Sequence, residues 1–295
     1  MDKMKKKAIF TGVATALVTP FYRGEIDYAA LSRLIERQIS AGIPALVIGG
    51  TTGEAATLSE RERLALWSFA AERVGGRAKL IFGTGTNDTK STINYTRHAA
   101  SIGCDAALCV TPYYNKGTKR GITEHYLRVA DSVDLPIILY NVPSRTGVDL
   151  TLSQITELSA CERIVGIKEA SDSLEKLAKI ATLGDAMPLY AGSDISTYTV
   201  LALGGAGVVS VISNVIPGIM REVCERYFAG DTVGSRARLL AEEKKISSLF
   251  AETNPAPLKY LMGRMGLCHP EIRSPLSLPE RKTRKMIADV WRLGK

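Results

Sequence analysis

Eight short apolar runs, each followed by a longer amphipathic stretch, fill the chain from near residue 12 to near residue 230. No other feature constrains the fold as much. The runs are Val13–Thr19, Ala45–Gly49, Lys79–Gly83, Ala106–Thr111, Ile137–Asn141, Ile164–Lys168, Pro188–Ala191 and Gly207–Ser213. Most are nearly continuous in apolar residues, as a strand must be when helices cover one face and a packed interior the other. The stretches between them open on helix-start residues. Asp27 precedes YAALSRLIERQIS, and Ser59 precedes ERERLALWSFAAERV with Glu62 placed for a capping box. Asp88 or Thr89 opens the third helix, and Thr151 or Ser153 the fifth. Eight βα units in succession predict an α/β fold, a (β/α)8 TIM barrel. An open doubly wound sheet would carry a glycine-rich phosphate turn after its first strand, but the sequence there reads Thr19-Pro20-Phe21-Tyr22. A dinucleotide cofactor is therefore not expected. Beyond residue 230 the strand pattern stops, and helices are expected near 232–251, 256–266 and 279–293. The chain thus divides into a barrel, 1–230, and a C-terminal helical extension, 231–295.

Charge is concentrated at the ends. The chain carries a net +8, of which residues 1–7 hold +3 and residues 281–295 hold +5, so the body between them is neutral. Two basic ends on a neutral globule are usually solvated, and no basic–aromatic motif accompanies them, so nucleic acid is not an expected partner. The five cysteines include no C-x-x-C pair, which fits free thiols in a reducing compartment. The three histidines lie far apart, and no metal site is expected. No apolar stretch approaches the roughly 18–20 residues that span a membrane, and the basic N-terminus leads into no signal-peptide core. A cytoplasmic location is the expectation.

In a barrel of this kind the active site lies at the C-terminal ends of the strands. The runs end there in polar, specific sequences: Gly50-Thr51-Thr52-Gly53-Glu54, Thr111-Pro112-Tyr113-Tyr114-Asn115, Tyr140-Asn141-Val142-Pro143-Ser144-Arg145, Gly166-Ile167-Lys168-Glu169 and Gly192-Ser193-Asp194. Strand alternation sends Val165 and Ile167 to one face and Gly166 and Lys168 to the other. With the β-branched pair under the helices, Lys168 points into the barrel mouth. A lysine held away from water presents more of the free amine that attacks a ketone. The bland alternative is a strand-end lysine reaching solvent, but lysine is rarely buried without a task. Tyr140, on the preceding strand, is placed to carry protons for that amine, although a strand-end tyrosine alone reads as packing. Thr51-Thr52-Gly53 offers hydroxyls and backbone N–H groups to a carboxylate, or is an ordinary strand-to-helix turn. Arg145 is either a bidentate carboxylate clamp or a solvated loop arginine.

Taken together, GTTGE at 50–54, TPYYN at 111–115, YNVPSRTG at 140–147, GIKE at 166–169 and GGAGVVSV at 204–211 resemble the dihydrodipicolinate synthase family. The likeness runs from Thr11 through NPAPLK at 254–259 and beyond. The wider superfamily of pyruvate-dependent class I aldolases, N-acetylneuraminate lyase among them, shares the turn, the tyrosine and the lysine. Arg145 within Ser144-Arg145-Thr146-Gly147 favours the synthases. The resemblance implies that Lys168 forms a Schiff base with pyruvate and that Tyr140 shuttles protons. It implies that Thr51 relays them to Tyr114 of a neighbouring subunit. Thr52, Val209 and Gly192 then contact pyruvate, and Arg145 holds the carboxylate of L-aspartate 4-semialdehyde. The reaction implied is their condensation to 4-hydroxy-tetrahydrodipicolinate in lysine and diaminopimelate biosynthesis, with no cofactor besides the covalent imine. The expected assembly is a homotetramer built as a dimer of dimers. The alternative is N-acetylneuraminate lyase or another 2-keto acid aldolase.

One part of the pattern is not kept. Family members inhibited by lysine use a serine, histidines and a glutamate where this sequence has Ala55, Glu60, Arg63 and Ser91, while Asn87 and Tyr113 remain. Lysine is therefore expected to inhibit weakly or not at all.

Overall fold

Every apolar run becomes a strand, and nearly all its residues are buried, on both faces. A computed structural model describes residues 5–171 and 173–294. Its barrel strands are Gly12–Ala16, Ala45–Ile48, Lys79–Gly83, Ala106–Val110, Ile137–Asn141, Ile164–Glu169, Leu189–Ala191 and Gly207–Ser210. All pair in parallel, and the first pairs with both the second and the eighth, which closes the sheet. The (β/α)8 expectation holds. Val13, Leu46, Phe82, Leu139 and Ile167 pack in the larger core shared with the helices. Ala14, Ala45, Val47, Ile81, Ile138 and Val209 form a separate cluster, the barrel interior.

The N-terminal strap closes one end. Phe10, just before the first strand, stacks on Tyr190 at 4.4 Å, and the Tyr190 hydroxyl donates to the Phe10 carbonyl at 3.1 Å. Lys6 Nζ donates to the carbonyls of Ser159, Cys161 and Ile164 at 2.6, 2.8 and 2.6 Å. With that end plugged, the opposite mouth is the one left open to ligands. Of the basic terminal segments, residues 1–4 and 295 lie outside the described residues.

Helix starts follow their capping chemistry. Asp27 accepts from the Ala30 N–H, Ser59 and Glu62 form the reciprocal capping box, Asp88 caps the third helix, and Thr151 caps its helix with Gln154. Three strand expectations need correction. The first run leaves the ladder after Ala16 rather than Thr19, because Asn214 takes the Val18 N–H and the Thr19 hydroxyl turns to the Gly53 carbonyl. The last leaves after Ser210 rather than Ser213, because Asp194 Oδ2 accepts the N–H groups of Val211 and Ile212, both at 3.0 Å. In the sixth strand a register irregularity pairs Ile137 with Ile164 but Ile138 with Gly166. Val165 therefore packs with the interior cluster while Ile164 and Ile167 face the helices, so Val165 and Ile167 do not share a face. Lys168 keeps its inward direction because the irregularity lies before it.

Beyond the barrel the chain adds helices Thr232–Leu240, Glu243–Ser248, Ala256–Arg264 and Arg281–Val290. The single stretch expected over 232–251 is two helices. At the break the Glu242 carboxylate collects Arg238 at 2.6 Å and Lys245 at 2.8 Å.

His125, on helix Lys119–Asp131, is 4% exposed and contacts Thr89 through Nδ1 at 3.0 Å. Burial pulls its pKa down to about 4, against a weak opposing pull from Asp88. The unfolded chain takes up this proton near pH 6.5 while the folded chain refuses it until about pH 4. Stability contributed by the neutral ring is complete above pH 6.5 and is lost as pH falls toward 4, by at most about 3 kcal/mol. Urea unfolding of wild type and His125→Phe at pH 7 and 4.5 checks this. Wild type should lose more stability between pH 7 and pH 4.5 than the variant does, and an equal loss in both would contradict it.

Candidate active site

The open mouth leads into a cavity of about 320 Å³. Its wall includes Gly50, Thr51, Leu108, Tyr113, Tyr140 and Arg145. Strands five and six are neighbours, and their register sets Tyr140 directly beside Lys168. Lys168 is 6% exposed, and its Nζ lies 3.9 Å from the centre of the Tyr140 ring. The contact is with the ring face. Among the described residues the Lys168 amine forms no ion pair and no hydrogen bond. Below it only glycine fits at position 166, since a Cβ there would come within 3.2 Å of the Tyr190 ring and 2.8 Å of the Pro188 carbonyl.

Asp194, just past the end of the seventh strand, is a buried acid with a charge interaction with Lys168. Burial pushes its carboxyl up, while Ser210, the N–H groups of Ile212 and Val211, and the Lys168 charge pull it back. Its Oδ1 is buried and has no partner among the described residues. The sequence reading named Asp194 only as a strand terminus.

The turn after strand two leaves several backbone amides without backbone partners among the described residues. The Glu54 N–H bonds back to the Thr51 carbonyl, whereas the amides of Thr51, Thr52 and Gly53 donate to no backbone carbonyl among the described residues. Glu54 sits at φ 53°, a left-handed conformation that costs a non-glycine residue about 1 kcal/mol or more. The cost is met by a fully buried ion pair, Glu54 Oε1 to Lys259 Nζ at 2.5 Å. Lys259 also donates to the Glu271 carbonyl at 2.8 Å, and Glu54 Oε2 accepts the Arg273 N–H at 3.0 Å. Arg273 in turn clamps Glu62, holding its carboxyl down at about 2. Three residues of the C-terminal extension therefore brace the binding turn from behind. The sequence reading assigned no role to Glu54, Lys259 or Arg273. The signal available was a glutamate and a lysine in two of the motifs carrying the resemblance.

The remaining candidates are placed as follows. Thr52 is 3% exposed and accepts from Asn254 Nδ2 at 3.0 Å. Arg145 lies on the short helix Pro143–Thr146 at the rim and donates to the Asn254 carbonyl at 2.9 Å. Val209 is buried in the interior cluster. Gly192 has no room for a side chain, since a Cβ would meet Ala170 Cβ at 2.4 Å and the Glu169 carbonyl at 2.7 Å. Tyr114 is set apart from the rest. It is 88% exposed, at φ 71°, on the loop after the fourth strand. Within the chain, among the described residues, Thr51, Tyr140 and Tyr114 are not joined by hydrogen bonds, so the relay inferred from the resemblance is not closed by one subunit. Arg63 lies in the cavity wall, its Nη2 on the Ala55 carbonyl at 2.7 Å and its guanidinium over the Tyr95 ring at 4.6 Å.

What such a mouth can hold is a 2-keto acid, its carbonyl carbon beside the lysine and its carboxylate on the turn. This places the chain among the lysine-dependent, class I aldolase-type lyases built on the barrel. More particularly, the chain belongs to the dihydrodipicolinate synthetase family, whose model matches residues 9–291. It is 41% identical over 282 residues to the 4-hydroxy-tetrahydrodipicolinate synthase of Alkaliphilus oremlandii, covering 95% of this chain and 97% of that one. The dihydrodipicolinate synthase of Thermotoga maritima superimposes with a TM-score of 0.94 at 38% identity, covering 97% of this chain and 98% of that one. A monomeric dihydrodipicolinate synthase variant superimposes equally well, TM-score 0.94 at 38% identity, over 96% of each chain. Among the described residues no helix is long and apolar enough to cross a membrane.

Proposed function

We propose that this protein condenses pyruvate with L-aspartate 4-semialdehyde to give 4-hydroxy-tetrahydrodipicolinate, through an imine on Lys168. The observation that carries the reading is the buried, unpaired Lys168 amine against Tyr140 at the mouth. The Lys168 nitrogen attacks the pyruvate keto carbon, and the carbonyl oxygen leaves as water with protons delivered through Tyr140. The resulting iminium acidifies the methyl group, and loss of one proton gives the enamine. The enamine carbon attacks the aldehyde carbon, whose oxygen takes up a proton and becomes a hydroxyl. The amine of the second substrate then attacks the iminium carbon and displaces Lys168 as the free amine. Thr52 receives the pyruvate carboxylate at the turn, Thr51 relays protons between Tyr140 and Tyr114 of a neighbouring subunit, Val209 and Gly192 shape the pocket, and Arg145 receives the second substrate's carboxylate.

Purified protein offered pyruvate with either aspartate semialdehyde or N-acetylmannosamine tests this by pyruvate consumption. Turnover with the semialdehyde supports the proposal, and turnover with the sugar alone would make the enzyme an N-acetylneuraminate lyase. Arg145→Ala is expected to raise the KM for the semialdehyde about 10- to 100-fold, the worth of a charge-assisted pair, while pyruvate trapping on Lys168 is unchanged. Equal loss of both would make Arg145 structural.

The homotetramer is part of the same proposal. An aromatic side chain held at positive φ and left exposed is supported by nothing within its own subunit, which fits Tyr114 completing a neighbour's relay. Sedimentation should then show dimers or tetramers, and dilution to monomers should abolish turnover. A fully active monomer would refute the shared site. Weak lysine inhibition also belongs to the proposal, because Arg63 fixes a cation where a cationic ligand would bind. The free cysteines are consistent with a cytoplasmic setting.

A further inference from the structure

Asn254, the last residue before the turn into helix Ala256–Arg264, touches both substrate-binding groups at once. Its Nδ2 donates to Thr52 Oγ1 at 3.0 Å, and its backbone carbonyl accepts Arg145 Nη2 at 2.9 Å. It is 5% exposed, and it lines the cavity. A hydroxyl has a single proton and two acceptor sites. With the amide N–H directed at its oxygen, Thr52 cannot also donate its proton to Asn254. Among the described residues no other protein acceptor takes that proton.

We propose that Asn254 is a positioning residue that fixes the polarity of the Thr52 hydroxyl. Its amide makes Thr52 an obligatory donor toward the carboxylate of the 2-keto acid, while its backbone carbonyl holds Arg145 for the second substrate. The inference rests on the reading of Thr52 and Arg145 given above and deepens it. One residue of the C-terminal extension sets the pyruvate end by its side chain and the aldehyde end by its main chain. Side-chain substitution therefore separates the two. The buried, unpartnered Asn254 Oδ1 is the counterpart of this arrangement. Turning the amide over would give Thr52 an acceptor and take its proton away from the substrate.

The test is steady-state kinetics of the full-length enzyme carrying Asn254→Leu, Asn254→Asp, Thr52→Val, and Thr52→Val with Asn254→Leu. Asn254→Leu should raise the pyruvate KM about tenfold, the worth of one directed hydrogen bond, with kcat within about threefold. The aldehyde KM should move less than about threefold, because the carbonyl that holds Arg145 remains. Once Thr52 is Val, adding Asn254→Leu should change the pyruvate KM by no more than about twofold, since the two act as one unit. Asn254→Asp is nearly isosteric but replaces the donor by an acceptor and adds a negative charge, both of which oppose a carboxylate at Thr52, so it should raise the pyruvate KM more than Asn254→Leu does. It also preserves the contrast should the leucine variant not fold. Additive effects of the pair, an equal rise in both KM values, or loss of kcat at unchanged pyruvate KM would overturn the inference. Borohydride trapping of pyruvate on Lys168 in the wild type separates the two failures. Trapping with unaffected Asn254 variants sinks this inference alone, whereas no trapping sinks the reading beneath it.

Discussion

Lys168→Arg is expected to lower turnover on the order of 10³-fold or more, the scale of losing a catalytic nucleophile, while the barrel still folds. The guanidinium stays protonated at any pH the protein survives, so it has no lone pair with which to attack the keto carbon. It can still lie over the Tyr140 ring, which keeps the packing of the mouth. Activity measured on variant protein of wild-type thermal stability is the check. Retention of more than about a tenth of the activity would mean that Lys168 is not the nucleophile.

The second large effect belongs to a residue that touches no substrate. Lys259→Met removes one member of a fully buried ion pair and leaves the Glu54 carboxylate behind it without its cation. Breaking a buried pair in this way costs about 3–5 kcal/mol. Burial already pulls the Lys259 amine down, and the Glu54 charge is what holds it up. Lys259→Met with Glu54→Gln, which removes both charges, should recover a large part of the loss. Denaturant unfolding of wild type, single and double variants measures it. A single variant within about 1 kcal/mol of wild type would show that the pair contributes little.

These two residues also mark how far the sequence could be read. Lys168 was legible because strand geometry gives a strand-end side chain only two directions, and one of them is the mouth. That held even though the register irregularity beside Val165 broke the alternation on which the argument relied. Helix starts were legible because capping is local chemistry, as Ser59 with Glu62 and Thr151 with Gln154 show. The strand ends after Ala16 and Ser210 were not, because Asn214 and Asp194 decide them from distant positions in the chain. The bracing of the turn was hidden for the same reason. Lys259 lies more than two hundred residues from Glu54, and Asn254 lies 202 residues from Thr52. No periodicity encodes a contact of that span. The Tyr140 contact was read only in part: the phenol was expected at the Lys168 amine, and the amine instead lies over the ring.

Every step of the proposed reaction depends on Lys168 forming an imine with pyruvate. Borohydride added to the wild-type enzyme with pyruvate reduces that imine to a stable secondary amine, which peptide mass spectrometry locates. The prediction is one pyruvate-derived adduct per chain, on the peptide containing Ile167 and Lys168, formed only when pyruvate is present. An adduct on a different lysine, or none while the enzyme consumes pyruvate, would contradict it.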